Sequence, residues 1–93
     1  MDYKVVYTKL SQKDLRGLDR SVVQRILKKV DEFSQLDEPL VKAKKLKGFE
    51  IDTYRFRVGN YRVVFRLDPK SQKLVILVVL RVAHRKDIYD KNV

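Results

Sequence analysis

The sequence predicts an α+β fold: an N-terminal strand, two helices, then an antiparallel β-meander with the helices packed on one face of the sheet. Three observations carry that expectation. One stretch places apolar residues at helical i, i+3, i+4, i+7 spacing. Two alternating runs are separated only by Gly59-Asn60. A third run, Leu74 to Leu80, is apolar at both parities.

Tyr3-Lys4-Val5-Val6-Tyr7 is rich in β-formers and predicts the first strand, ended by the polar Thr8-Lys9 step. Ser11-Gln12-Lys13-Asp14 has the form of a capping box, and Leu15 and Leu18 continue a helical face to about Gly17. Asp19 or Ser21 is placed to cap a second helix, with Val23, Ile26, Leu27, Val30 and Phe33 as its buried stripe. That helix is expected to stop before Pro39, because the residue preceding a proline avoids helical backbone. Lys42-Ala43-Lys44-Lys45-Leu46-Lys47-Gly48 then reads as a basic connector.

Thr53 to Val58 and Tyr61 to Leu67 form a hairpin closed by Gly59-Asn60, where glycine supplies the positive φ that a type II′ turn needs at its first central position. Asp68-Pro69-Lys70-Ser71-Gln72 makes the next turn. The two-sided apolar run Leu74 to Leu80 predicts a central strand, and His84 to Tyr89 a short closing turn or helix packed by Ile88.

The chain has 93 residues, enough for one domain that buries roughly 60–70 % of its unfolded surface. There is no cysteine and a single histidine, which excludes a disulfide framework, a thiolate metal site and a multi-histidine metal site. Met1-Asp2-Tyr3-Lys4 lacks a signal-peptide pattern and no run approaches the ~20 apolar residues of a spanning helix, so a soluble, cytoplasmic protein without a membrane partner is expected. Lys and Arg number 22 against 12 Asp and Glu, a formal charge of +10 that points to a polyanionic partner, nucleic acid first.

The hairpin register sharpens that pointer. A two-residue loop pairs Val58 with Tyr61, Arg57 with Arg62, Phe56 with Val63 and Arg55 with Val64. Arg55, Arg57, Arg62, Val64 and Arg66 then share one side of the sheet, and Tyr54, Phe56, Val58, Tyr61, Val63, Phe65 and Leu67 the other. Charged alternation alone is ordinary solvation. Two arginines directly opposite one another, however, repel by up to ~1 kcal/mol, and a planar guanidinium is suited to holding phosphate. His84, a lone histidine beside Arg85 and near Tyr89, is a candidate general base, although a single histidine is more often structural.

Leu46-Lys47-Gly48, the block Tyr54-Arg55-Phe56-Arg57-Val58-Gly59-Asn60-Tyr61-Arg62-Val63-Val64-Phe65, and the terminal His84-Arg85-Lys86-Asp87-Ile88-Tyr89 together resemble the RelE/ParE toxin superfamily over nearly the whole chain. The resemblance implies a single RelE-like toxin domain over residues 1–93. Its implied function is that of a type II toxin–antitoxin toxin, a ribosome-dependent endoribonuclease needing neither metal nor cofactor. In RelE-type members the 2′-hydroxyl of mRNA in the ribosomal A site attacks the adjacent phosphate to give a cyclic phosphate.

By motif, the resemblance assigns catalytic roles to Arg57, Arg62, His84, Arg85 and Tyr89. Arg62 and Arg85 would clamp the scissile phosphate, and Tyr89 would stack on or orient a base. Lys45, Lys47, Arg55 and Arg81 are the implied RNA contacts. Some relatives carry lysines where this chain has Arg55 and Arg57, and arginine is a poor general base. Either His84 accepts the proton, or rate comes from orientation and charge stabilisation. The implied partners are a cognate acidic antitoxin and mRNA, with operator DNA bound only through the antitoxin complex. A ParE-like DNA gyrase inhibitor and an inactive toxin-like nucleic-acid-binding protein are the alternative readings.

Overall fold

A computed structural model describes residues 2–88. Strand β1 (Asp2–Tyr7) is followed by helices α1 (Lys9–Arg16) and α2 (Arg20–Ser34), a 3-10 turn (Pro39–Lys42), strands β2 (Lys44–Leu46), β3 (Thr53–Val58), β4 (Tyr61–Pro69) and β5 (Leu74–His84), and a short helix α3 (Arg85–Ile88). The strands form one sheet in the order β1-β5-β4-β3-β2. This is the predicted α+β class, with two additions. β1 joins the meander in parallel beside β5, and the basic connector contains a strand, β2, that extends the sheet antiparallel to β3.

The hairpin register is the one the two-residue turn dictates, from Val58↔Tyr61 through Arg55↔Val64, and Gly59 takes a φ of 60°. On the helix side, Phe33 of α2 stacks on Phe56 at 4.1 Å between ring centroids and meets Phe65 edge-on at 5.5 Å. Ile26 and Val30 complete the contact with Val63, Leu77 and Val79, all fully buried. Leu27, expected in this stripe, is exposed, because the buried face of α2 takes in Val22 beside the expected Val23 instead. β5 is an interior strand, paired between β1 and β4 one place from the middle of the sheet: Leu77 and Val79 are buried under the helices, and Val78 is buried on the opposite face.

The helix ends differ from the sequence expectations for local reasons. The cap of α1 is Thr8, not Ser11: its side chain accepts from the Ser11 amide at 3.1 Å and its hydroxyl donates to the Leu80 carbonyl at 3.2 Å. Ser11 lies buried in the first turn and donates to the Thr8 carbonyl. Asp19 precedes α2 with no side-chain capping bond. α2 ends at Ser34, ahead of Pro39, which instead opens the 3-10 turn, where its missing N–H is no loss.

Asp14, expected to close a capping box, has a tertiary role. β1 ends at the Tyr7↔Val79 pair, while β5 runs on to His84 with α1 alongside it. There the Asp14 carboxylate accepts from the Val82 amide at 2.9 Å and from Arg81 Nε and Nη2 at 2.9 and 3.2 Å. It satisfies a strand-edge donor that no neighbouring strand reaches.

Asp14→Ala is therefore expected to lower stability by about 1–3 kcal/mol, with Asp14→Asn in between because it still accepts from the Val82 amide; urea midpoints measure both. Burial, and then Asp31, push the Tyr7 hydroxyl up from 10.0 to about 12. The folded state thus keeps the phenol neutral where the unfolded chain ionises it. That stabilisation is complete below pH 10 and is lost as pH rises toward about 12. Alkaline titration of Tyr7→Phe should show a flatter decline of stability over this window than the wild type.

Candidate nucleic-acid interface

Strand pairing sorts the basic residues onto definite faces, since directly opposed residues project to the same side. One row across the sheet is Arg57, Arg62 and Ala83, and the next is Lys44, Arg55, Val64 and Arg81. Small Ala83 beside Arg62 leaves that end of the face open above β5. The β4–β5 register slips between Val64 and Phe65: Val64 pairs with Arg81 and Phe65 with Val79, leaving Leu80 as the extra residue of a bulge. Past the bulge β5 turns its end onto the hairpin, where the Arg85 amide donates to the Asn60 carbonyl at 2.8 Å.

This closure brings the hairpin and the tail of β5 together. Burial, and then the charges of Arg57, Arg55 and Arg85 in that order, hold Arg62 below the ordinary arginine range. Burial and then Arg57 do the same to Arg55. The charges of Arg55, Arg57 and Arg85, from β3 and α3, thus converge on Arg62 of β4. Among the described residues, no acidic side chain forms an ion pair with Lys44, Arg55, Arg57, Arg62 or Arg85. An anion placed among them recovers the repulsion that the fold holds in place.

Other expected site residues are placed elsewhere. His84 pairs with Tyr61 in the row of Val58, which is on the helix side, and its ring meets Tyr61 edge-on at 5.4 Å. Its Nδ1 accepts from the Lys86 amide at 3.2 Å. His84 thus stands apart from the paired arginine rows of β3 and β4. Lys45 pairs with Tyr54, also on the helix side, and binds Asp52 at 3.2 Å. Arg81 shares the arginine face, but its guanidinium is bound to Asp14. Lys47 follows β2 and is exposed. Tyr89 lies outside the described residues.

Two cations join the site that sequence reasoning did not single out. Lys44 stands in the Arg55 row, which the alternation of β2 would have shown had the connector been recognised as a strand. Arg25 of α2 reaches over the hairpin turn, its Nη2 3.6 Å from where a side chain on Gly59 would begin. No sequence pattern signals that contact. The described residues hold no group of three or more acidic, histidine or cysteine side chains able to bind a metal, and none of their helices is long and apolar enough to cross a membrane.

With charge repulsion as the dominant local strain, Arg57→Gln is expected to raise stability by up to ~1 kcal/mol at low salt. The gain should fade near 1 M salt, where the screening length is about 3 Å. Thermal unfolding across a salt series reads this directly, and a variant less stable than wild type at every salt concentration would contradict it.

Comparisons with known proteins agree with this geometry. Residues 5–89 match the family described as the ParE toxin of the type II toxin–antitoxin system parDE. Toxin RelG of Mycobacterium tuberculosis is 39 % identical over 92 residues, covering 96 % of this chain and 98 % of that protein. Toxin RelE3 of Methanocaldococcus jannaschii is 33 % identical over 90 residues, covering 94 % and 96 %. Among solved structures, the toxin–antitoxin complex RelBE2 from Mycobacterium tuberculosis matches with a TM-score of 0.65 and 35 % identity, over 91 % of this chain and 100 % of that one. The RelE–RelB complex from Pyrococcus horikoshii OT3 matches with a TM-score of 0.66 and 28 % identity, over 94 % and 99 %.

Proposed function

Because the chain belongs to the RelE/ParE family of type II toxin–antitoxin toxins, we propose that it is a metal-free endoribonuclease that cuts mRNA in the ribosomal A site and so blocks translation. The observation that carries this reading is the placement of Arg55, Arg57 and Arg62 in adjacent paired rows on one face of the hairpin, none of them in an ion pair with an acidic side chain among the described residues. Such a site suits a phosphodiester, whose charge rises as it is attacked.

In the proposed reaction the 2′-hydroxyl gives its proton to water and attacks the adjacent phosphorus, and the bond to the 5′ oxygen breaks as that oxygen takes a proton from water, leaving a 2′,3′-cyclic phosphate and a 5′-hydroxyl. Arg62 and Arg85 donate to the non-bridging oxygens and oppose the negative charge that develops there, with Arg57 beside them. With His84 on the helix side, the rate rests on charge stabilisation and on in-line positioning of the nucleophile, which the ribosome supplies by shaping the mRNA. The site of action is the cytoplasm, where the toxin is held by a small acidic antitoxin that carries the pair to operator DNA. The matched RelBE2 structure is a toxin–antitoxin complex, and the matched Pyrococcus horikoshii structure a RelE–RelB complex.

Pulsed expression followed by mapping of mRNA 5′ ends tests the reading. Wild type is expected to cut within translated codons, and Arg62→Ala and Arg85→Ala to lose on the order of 100-fold or more in rate. His84→Gln should stay within about tenfold of wild type, since general-base catalysis is worth at least about 100-fold. Intact mRNA on arrested ribosomes would rule the nuclease out. The family match to ParE toxins favours inhibition of DNA gyrase as the second reading, and a supercoiling assay separates the two.

A further inference from the structure

The cationic surface of the hairpin does not end with its strands. Arg25 leaves α2 and lays its guanidinium on the turn, with Nη2 3.6 Å and Cζ 3.9 Å from where a side chain on Gly59 would begin. Gly59 keeps that approach open, since it has no side chain and its φ of 60° is one that other residues rarely adopt. At the other residue of the turn, the Asn60 carbonyl accepts from the Arg85 amide at 2.8 Å. The two-residue turn is thus flanked by Arg25 from the helix layer and by Arg85 of α3.

Nothing on α2 itself accounts for a cation at this position. One helical turn on from Arg25 stand Lys28 and Lys29, at i+3 and i+4, where like charges destabilise a helix. Glu32, the acid in the cleft that Arg25 lines, is bound to Lys29 at 3.5 Å. Among the described residues Arg25 makes no ion pair. Arg25, Arg57, Val58 and Gly59 line the same open cleft. No strand stands between the two arginines, because β2 pairs with β3 only from Thr53 to Arg55. A polyanion on the face of Arg57 and Arg62 can pass the bare end of β3 and reach Arg25 without leaving a cationic surface.

We propose that Arg25 binds a second phosphodiester of the RNA, beyond the one held by Arg62 and Arg85, so that the strand bends over the hairpin turn at Gly59 and runs onto α2. The proposal rests on reading the chain as a toxin directed at RNA, and it adds a phosphate subsite outside the reacting centre. Arg25 touches none of the reacting atoms. By gripping a neighbouring link it fixes where the strand lies along the face, and so which phosphate comes to Arg62. A guanidinium suits this task, because two parallel N–H donors orient a phosphate that an ammonium would only attract.

Fluorescence anisotropy of the full chain with two RNAs tests this, each with hydrogen in place of the attacking 2′-hydroxyl so that neither is cut. One is a labelled single-stranded hexanucleotide, and the other a dinucleotide with a single link, read by competition. Arg25→Gln, on an exposed side chain that leaves folding intact, is expected to weaken hexanucleotide binding about tenfold. It should also flatten the slope of log affinity against log salt by about 0.7, the share of one phosphate contact on a single strand. The dinucleotide should bind the variant as it binds wild type. Arg25→Lys should keep the salt slope while losing part of the affinity. Lys28→Gln removes the same charge from the same helix outside the cleft, and should leave both RNAs nearly unaffected. An unchanged hexanucleotide affinity in Arg25→Gln, an equal loss with the dinucleotide, or an equal loss from Lys28→Gln would overturn the proposal. The two readings fail separately: Arg25-dependent hexanucleotide binding without mRNA cleavage defeats only the nuclease, and cleavage with Arg25-independent binding defeats only the subsite.

Discussion

Everything in this fold answers to one constraint, the confinement of like-charged guanidiniums on one face of a hairpin whose two-residue turn permits a single register. Arg57 faces Arg62 because Val58 faces Tyr61, and neither can slip without turning Phe56, Val63 and Phe65 out of the core. The stacked aromatics under α2 hold the register, and the register holds the charges together. The repulsion is set against hydrophobic burial on the reverse of the same strands.

β5 supplies the second half of the site through its ends. Its middle is the spine of the sheet, paired on both sides and buried on both faces. Its last residues outrun β1 and are steadied by α1 through Thr8 and Asp14. The bulge at Leu80 and the Arg85–Asn60 bond then bring the tail over the hairpin turn. The Asp14–Arg81 pair also takes one cation out of the site, so charge on the face is arranged by acids on the helices as well as by arginines on the strands.

Much of this was legible in the sequence, because the features concerned are local and periodic. A glycine-asparagine loop between alternating runs fixes register, and register fixes which side chains share a face. The two-sided apolar run marked a strand paired on both sides, β5, for the same reason. What escaped was decided by distant parts of the chain. β2 is a three-residue strand that exists through its pairing with β3, and missing it exchanged Lys44 for Lys45 as the cation on the arginine face. His84 attracted attention as a lone titratable group, but pairing with Tyr61 puts it on the helix side. The burial of Arg55 and the reach of Arg25 across Gly59 depend on how α2 lies against the sheet, which no local pattern encodes.

The most direct measurement is a structure of the protein bound to an RNA whose attacking 2′-hydroxyl is replaced by hydrogen. The account predicts one phosphodiester seated on the hairpin face, within hydrogen-bonding distance of both Arg62 and Arg85, and no contact to His84. A backbone that tracks any other surface, with Arg62 and Arg85 contacting no common phosphate, would contradict it.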